Sequence, residues 1–240
     1  MTFKTSCLRY LLIIVGFSAI GKSGYSQTAQ WDSTYRPAAY ENKVEQFKSY
    51  PNSAEDIIFL GNSITANTDW TELLGIRNLK NRGISGDITF GVLDRLDEVI
   101  EGKPSKVFIL IGINDISRNI PDELILRNYK TMISRIKAGS PSTQIYFQTM
   151  LPTNNTFDKF KNHYNKEEHI LWLNKALKEF AAKENITLID LYPEFLDSDK
   201  RLDKRYTIDG LHLSVMGYAK WKEVLEKGNY LIKEVQGSVE

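Results

Sequence analysis

The stretch IIFLGNSIT, at residues 57–65, decides the fold that we expect of this chain. Its apolar residues run directly into the turn-forming Gly61-Asn62-Ser63, and residues 69–74 then have the composition of a helix. A buried strand that turns sharply into a helix is the repeating unit of open α/β sheets, which place their ligands at the carboxyl ends of the strands. Ser63 is therefore a candidate nucleophile, provided that the rest of the chain supplies a base and an oxyanion site.

Later segments repeat this alternation of strand and helix. The predicted strands are residues 56–61, 78–82, 107–112, 145–151 and 187–192. The predicted helices cover residues 90–100, 125–136 and 170–180, with a last one from about Ser214. Apolar residues recur at helical spacing in the helices, and 107–112 is apolar throughout, as expected of a strand buried on both faces. About five strands alternating with helices predict parallel βαβ units in a three-layer α/β/α sandwich.

Two segments fall outside this alternation. Residues 27–54 are polar and aromatic, and we expect a loosely packed surface arm with a helix near 40–48. Residues 152–166 are the longest irregular stretch and are rich in Asn, Thr and Lys. Long loops in compact domains tend to be functional or mobile. Because this loop follows a strand, we expect it to lie over the edge of the sheet that carries Ser63.

The composition is that of a soluble globular protein. Of the 240 residues, 42% are hydrophobic and 25% are charged, which suits one domain with a sizeable core. Lys and Arg together number 31 against 30 for Asp and Glu. This balance gives no electrostatic case for binding nucleic acid.

Residues 1–26 have the pattern of a secretory signal peptide. Basic residues precede an apolar run at residues 11–15, and small polar residues follow up to Ser26, where we expect cleavage. The apolar run is too short for a comfortable membrane span, so we expect no stable membrane insertion after cleavage. The sequence thus predicts an exported protein, periplasmic or extracellular, with a single domain at residues 27–240.

The amino-terminal segment also excludes two kinds of chemistry. The only cysteine, Cys7, lies inside the predicted signal peptide, so the exported chain would have neither a disulfide nor a thiol nucleophile. The segment GFSAIGKS at residues 16–23 matches the phosphate-loop pattern, but it lacks the preceding strand and the following helix that such a loop requires. A nucleotide-binding protein is therefore a distant alternative.

A serine nucleophile needs a base, and histidine is the usual base near neutral pH. The histidines of this chain are His163, His169 and His212. His212 ends the segment DGLH, in which Asp209 can reach the imidazole Nδ1 across a glycine turn and leave Nε2 facing the serine. Ser63, Asp209 and His212 are our candidate catalytic residues.

The transition state of acyl transfer carries an oxyanion, which must be met by hydrogen-bond donors already in place. Two glycine-containing turns at predicted strand ends offer such donors. The segment GISGD presents the amide of Gly86, and the segment GIND presents Asn114. Each turn alone is a common structural feature, but three turns at successive strand ends, together with the Asp-x-x-His segment, indicate one active site.

Together these motifs resemble the SGNH (GDSL-type) hydrolase family. The match consists of GNS at residues 61–63, Gly86 within NRGISGD, G-x-N-D at 112–115 and D-x-x-H at 209–212, all in order. In the letters of these blocks the chain is most similar to the platelet-activating-factor-acetylhydrolase-like and the sialate-type carbohydrate O-acetylesterase branches. Asn62 stands where the family usually has Asp, which affects the positioning of the turn rather than the mechanism.

The resemblance implies a flavodoxin-like α/β/α fold and a metal-free ester hydrolase without a cofactor. It implies that Ser63 is the nucleophile, His212 the base and Asp209 the group that orients the base. The implied oxyanion hole consists of the Ser63 and Gly86 amides and the Asn114 side chain.

We therefore expect an exported serine esterase that removes an acetyl or other short acyl group from a small-molecule or glycan ester. A lipid-directed acylhydrolase or thioesterase is an alternative within the enzyme class, and a non-catalytic glycan-binding module on the same fold is an alternative of another class. The spacing of His163, Glu167 and His169 would also allow a metal site, although no framing motif accompanies it. The sequence does not fix the oligomeric state.

Overall fold

The structure, a computed structural model, describes residues 31–232. The predicted signal peptide lies outside these residues. The strands are β1 (Ile57–Gly61), β2 (Leu79–Gly83), β3 (Lys106–Leu110), β4 (Gln144–Gln148) and β5 (Thr187–Ile189). They form one parallel sheet, as the sequence predicts, and their order in it is β2-β1-β3-β4-β5.

Helices occupy the connections between the strands. They are α1 (Tyr40–Lys48), α2 (Ser63–Ala66), α3 (Trp70–Leu74), α4 (Thr89–Asp94), α5 (Leu96–Glu101), α6 (Ile113–Ser117), α7 (Asp122–Gly139), α8 (Glu167–Glu184) and α9 (Val215–Lys227). The helix predicted over residues 90–100 is thus divided into α4 and α5. Among the described residues, every helix is too short or too polar to cross a membrane.

One face of the sheet carries a row of stacked aromatic rings. Phe59, Phe108 and Tyr146 are register neighbours on β1, β3 and β4, and successive ring centroids lie 4.8 and 4.4 Å apart. Trp70 of α3 stacks on Phe59 at 4.3 Å and meets Trp221 of α9 edge to face at 4.7 Å. Helices α3 and α9 therefore cover this face.

The other face is covered by the two long helices. Phe147 follows Tyr146 in β4, and successive side chains of a strand point to opposite faces. Its ring meets Tyr129 of α7 at 5.3 Å and Phe180 of α8 at 6.1 Å. The sheet is thus the middle layer of an α/β/α sandwich, which confirms the predicted fold class.

Three predicted strands extend past the carboxyl ends of the observed strands β3, β4 and β5. At the ends of β3 and β4, side chains replace the neighbouring strand as hydrogen-bond partners. Strand β3 ends at Leu110, and the Tyr129 hydroxyl then donates to the Ile111 carbonyl and accepts from its amide, at 2.8 and 3.1 Å. Strand β4 ends at Gln148. The Asn174 carboxamide then accepts from the Met150 amide and donates to the Met150 carbonyl. The backbone therefore leaves the sheet at the carboxyl ends of these strands, which is the edge that carries the predicted site.

The expectation of a loosely packed arm is wrong for helix α1. Tyr40, Val44 and Phe47 are buried with Ile84 in a small separate core. The Tyr40 hydroxyl donates to the Gly91 carbonyl at 2.6 Å. The helix itself lies where the sequence predicts it, but its apolar face is packed against the segment that follows β2.

Candidate active site

Ser63 is the first residue of α2 and follows β1, the central strand of the three that carry the predicted site. Asn62 is the N-cap of α2, and its Oδ1 accepts from the Ile64 amide at 3.0 Å. A Cβ atom on Gly61 would lie 2.4 Å from the Leu110 carbonyl oxygen. The turn therefore depends on glycine where β1 meets β3, and Asn62 caps the helix that follows.

His212 connects Ser63 with Asp209. Its Nε2 lies 3.0 Å from the Ser63 Oγ, and its Nδ1 lies 2.9 Å from the Asp209 Oδ2. An ionised carboxylate only accepts hydrogen bonds, so Nδ1 carries a proton and Nε2 is left to accept from the serine hydroxyl. The structure thus brings together the three residues predicted as nucleophile, base and orienting acid.

The Asp209 carboxylate is surrounded by donors that favour its charged form. Burial raises its pKa, but hydrogen bonds from the backbone and side chain of His212 and from the Leu211 amide outweigh burial, so the pKa of Asp209 lies below its ordinary value. Its Oδ1 accepts from the Leu211 and His212 amides at 3.1 and 2.8 Å. The group therefore remains negative at neutral pH and can hold His212 in one orientation.

The turn that carries Asp209 and His212 is assembled around Thr207. The Thr207 hydroxyl accepts from the Gly210 amide at 2.8 Å and donates to the His212 carbonyl at 2.7 Å. Gly210 has a φ of 81°, and a Cβ atom there would lie 2.4 Å from the Asn154 carbonyl oxygen. The sequence indicates the glycine turn but not the role of Thr207. The available signal is the residue type, because a threonine hydroxyl can bond to the backbone two residues further on.

The predicted oxyanion residues lie on the strand ends on either side of Ser63. Gly86 follows β2 with a φ of 82°, and within residues 31–232 its amide donates to no backbone carbonyl. The Asn114 Nδ2 donates to the Asp87 carbonyl at 2.9 Å, so the two turns are joined directly. A carboxamide nitrogen has two hydrogens. One N–H of Asn114 is thus engaged, and no hydrogen bond among the described residues uses the other.

Buried charges fix the turn that contains Gly86. Arg95 Nε lies 3.0 Å from Asp87 Oδ2, and Arg95 Nη2 donates to the Gly61 carbonyl at 3.2 Å. Both charged side chains are almost fully buried. Because Gly61 ends β1, this ion pair links the nucleophile strand to the oxyanion turn.

A second buried carboxylate, Asp115, lies next to Asn114. Both of its oxygens accept from the Thr89 amide at 3.0 Å, and Oδ1 also accepts from the Thr89 hydroxyl. Burial raises the pKa of Asp115 to about 7, although the hydrogen bonds from Thr89 oppose this shift. Asp115 thus connects the oxyanion segment to the start of α4.

His163 also lies in the site, although sequence analysis did not assign it there. Its Nε2 lies 3.0 Å from the Asn114 Oδ1. Burial lowers the pKa of His163 to about 4, and the neighbouring His212 and Arg118 act in the same direction, while Asp209 opposes them. His163 is therefore neutral at physiological pH.

The metal-site alternative is not supported by the geometry. His163 contacts Asn114, whereas the His169 Nδ1 lies 2.8 Å from the Asp122 Oδ2. In the part of the chain that the structure describes, no group of three or more His, Cys, Asp or Glu side chains is arranged to hold a metal ion. The three residues named from their spacing therefore do not form a cluster.

The loop at residues 152–166 lies over the catalytic edge, as predicted, and it is tied to the site. The Phe160 ring meets His212 and His163 edge to face, at 4.8 and 5.9 Å between centroids. The Tyr164 hydroxyl donates to the Asp209 carbonyl. Sequence reasoning could place this loop but not these contacts, because no motif marks them.

Comparison with known proteins agrees with this geometry. The model of the GDSL-like lipase/acylhydrolase family matches residues 59–220. Platelet-activating factor acetylhydrolase IB subunit alpha2 of Rattus norvegicus is 28% identical over 172 residues, which cover 69% of this chain and 72% of the rat protein. N-acylneuraminate cytidylyltransferase of Streptococcus agalactiae is 27% identical over 177 residues, which cover 72% of this chain and 39% of that enzyme.

Solved structures show the same relationship. A protein from Streptococcus pneumonia, provisionally described as a platelet activating factor, superposes with a TM-score of 0.72 at 30% identity. The match covers 79% of this chain and 92% of that protein. The similarity thus extends over most of both molecules.

Proposed function

This chain belongs to the GDSL-like lipase/acylhydrolase family and is an ester hydrolase, and from that premise we propose that Ser63, His212 and Asp209 are its catalytic residues. The observation that carries the proposal is the hydrogen-bonded path from Asp209 through His212 to the Ser63 hydroxyl, over 2.9 and 3.0 Å. The proposed reaction is hydrolysis of an acetyl or other short acyl ester through an acyl-enzyme.

In the first half-reaction, the Ser63 oxygen attacks the ester carbonyl carbon and the serine proton passes to His212 Nε2. The negative charge then falls on the former carbonyl oxygen, where the amides of Ser63 and Gly86 and the free N–H of Asn114 stabilise it. Collapse of this intermediate breaks the bond to the alcohol, which takes the proton from His212. In the second half-reaction, water attacks the acyl carbon and gives its proton to His212. The bond between the acyl group and the Ser63 oxygen then breaks, which releases the acid and returns the proton to the serine.

The proposal of a short acyl group rests on two resemblances. The motif letters are similar to those of acetylesterase branches, and the rat relative is named an acetylhydrolase.

We propose that the alcohol part of the substrate is a carbohydrate. We also propose that the protein is exported and acts in the periplasm or outside the cell. The motif letters resemble those of carbohydrate O-acetylesterases, and the Streptococcus agalactiae relative is named for N-acylneuraminate, a sugar. The proposal of export rests on the signal-peptide pattern of residues 1–26. An exported esterase of this kind would meet acetylated glycans.

A lipid alcohol is the second candidate, and one surface feature favours it. Ile208, Val215 and Met216 flank the Asp209–His212 segment in the chain and are 65%, 88% and 55% exposed. Exposed apolar side chains beside a catalytic group can contact an apolar substrate. The rat relative is named for platelet-activating factor, and an acetyl group would be the common acyl part of both candidates.

The first experiment measures hydrolysis of 4-nitrophenyl acetate by residues 27–240 in the presence of a chelator. We expect activity in the parent that Ser63→Ala abolishes. Activity that survives in Ser63→Ala would overturn the proposed mechanism. A series of 4-nitrophenyl esters should give its highest kcat/KM at the shortest acyl chains, and a maximum at long chains would overturn the proposal of a short acyl group.

The second experiment separates the two alcohols. The parent and a Val215→Ser/Met216→Ser variant are compared on an acetylated oligosaccharide and on an acetylated lysophospholipid. A carbohydrate esterase should prefer the oligosaccharide and should not respond to the two substitutions. Preference for the phospholipid, lost in the variant, would favour the lipid candidate.

A further inference from the structure

The contact between His163 and Asn114 has one assignment of donor and acceptor. The Asn114 Nδ2 faces the Asp87 carbonyl at 2.9 Å, and a carbonyl can only accept, so this end of the carboxamide is the nitrogen. The Oδ1 therefore faces His163 Nε2 at 3.0 Å. Because an amide oxygen has no hydrogen to donate, the imidazole must carry its proton on Nε2.

We infer that His163 is a positioning residue of the oxyanion hole, in which the neutral Nε2–H tautomer holds the Asn114 carboxamide so that its second N–H faces the developing oxyanion. The inference deepens the function proposed above and rests on it. His163 does not touch the reacting atoms in this account. It acts through Asn114.

The geometry explains why Asn114 needs this second anchor. Rotation of a carboxamide about its last torsion is loosely restrained, and the bond to Asp87 alone would leave the group free to swing. A hydrogen bond to Oδ1 fixes the plane of the carboxamide. It also polarises the amide, which strengthens the N–H groups as donors.

The surroundings of His163 keep it neutral while the reaction proceeds. The titratable and charged groups that influence it are His212, Arg118 and Asp209. His212 gains a positive charge when it takes the serine proton, and a second imidazolium nearby would oppose that step. The Phe160 ring meets both imidazoles edge to face, so each of them has an apolar neighbour.

The kinetic test replaces His163 with side chains that differ in their donor position. A Gln Nε2 can occupy the place of the imidazole Nε2, whereas the shorter Asn cannot reach it. We expect kcat on 4-nitrophenyl acetate to fall about 10-fold in His163→Ala and His163→Asn, with KM little changed, since removal of an oxyanion donor itself costs roughly 100- to 1,000-fold. His163→Gln should recover most of kcat.

Two controls separate this role from a general structural one. His169→Ala removes an exposed histidine of the same region that binds Asp122 instead, and it should leave kcat unchanged. In an Asn114→Ala background, His163→Ala should have no further effect on kcat, because the group that it positions is gone. Equal losses in the Gln and Ala variants, or losses that add to those of Asn114→Ala, would overturn the inference.

A spectroscopic measurement tests the contact without any turnover. Nitrogen-15 NMR of the full domain should show His163 as the neutral Nε2–H tautomer through neutral pH, and His163→Ala, but not His169→Ala, should shift the Asn114 side-chain NH₂ signals. The Nδ1–H tautomer would overturn the inference. A parent without esterase activity on any ester would overturn the proposed function, whereas an active parent with an unimpaired His163→Ala variant would overturn the positioning role alone.

Discussion

Single side chains determine where each proton of the active site lies. Asp209 is held ionised by the donors around it, so His212 must carry a proton on Nδ1 and can accept on Nε2. That leaves the Ser63 hydroxyl as the donor in the last contact of the path. The protonation state of each residue thus depends on its neighbour in the path. Removing one of the three should therefore abolish the proton transfer that the other two support.

The first prediction concerns that dependence. Ser63→Ala and His212→Ala should each lower kcat by several orders of magnitude, and the double variant should be little worse than either, because residues that act as one unit show strongly non-additive effects. Steady-state kinetics on 4-nitrophenyl acetate measure this. Losses that multiply would show that the two residues act separately.

The second prediction concerns the hydroxyl that supports the catalytic turn. Thr207→Val keeps the shape of the side chain but removes the acceptor of the Gly210 amide and the donor to the His212 carbonyl. We expect the free energy of unfolding to fall by about 1–3 kcal/mol, as for buried polar groups left without a partner, and kcat to fall as His212 loses its fixed position.

The matched control for this change is Thr131→Val. The Thr131 hydroxyl is exposed on α7 and donates to the Arg127 carbonyl one turn earlier. Denaturant unfolding and kinetics should show little change there. A Thr207→Val variant that behaves like the control would mean that the turn holds its shape without the hydroxyl.

Strands and helices bring the functional side chains together through the ends of β2, β1 and β3. These neighbouring strands end in the segments of Gly86, Ser63 and Asn114, in that spatial order. Ser63 therefore lies between the two predicted oxyanion segments, each of which leaves the sheet through a glycine with a positive φ or a close backbone contact.

The third prediction tests how β3 is ended. Tyr129→Phe removes the hydroxyl that satisfies both backbone groups of Ile111. Since these groups are buried, we expect the free energy of unfolding to fall by about 1–3 kcal/mol, together with a loss of kcat because Asn114 follows three residues later. Tyr50→Phe, on a half-exposed ring, is the control for both measurements. An unchanged kcat would show that the oxyanion segment does not depend on this bond.

The sequence predicts strands and helices well here because the apolar runs are long and the helical spacing is regular. Residues 107–112 and 145–151 predict β3 and β4 correctly, but their ends depend on Tyr129 and Asn174, which lie on distant helices. The roles of Ser63 and His212 could be proposed from local motifs. The contact of His163 with Asn114 could not, because 49 residues separate them and no local pattern indicates the pairing.

The molecule as a whole combines an apolar sheet with buried charged groups at one edge. Asp87 and Arg95 form an almost fully buried ion pair, and Asp115 is fully buried without a cationic partner at hydrogen-bond distance among the described contacts. Buried charges shift the balance between folded and unfolded states with pH. The active-site edge should therefore contribute to the pH dependence of global stability.

The fourth prediction concerns Asp115. Because its pKa is raised from 3.8 to about 7 in the folded state, the folded protein binds a proton that the unfolded chain has already released between these values. The stability from this group is thus fully present below the unfolded pKa and is lost as the pH rises through the folded pKa. Denaturant unfolding should show the free energy of unfolding of the parent falling relative to that of Asp115→Asn from about pH 4 to about pH 7. A constant difference over this range would mean that folding does not raise the pKa of Asp115.

The sequence separation between nucleophile and base has a consequence for the chain during its synthesis. Ser63 and His212 meet in space but are 149 residues apart along the chain. A ribosome therefore completes the segments of Ser63, Gly86 and Asn114 long before it adds Asp209 and His212. Under the proposed mechanism, a nascent chain that has not yet reached residue 212 lacks the base for Ser63, so it cannot hydrolyse an ester before that segment is added.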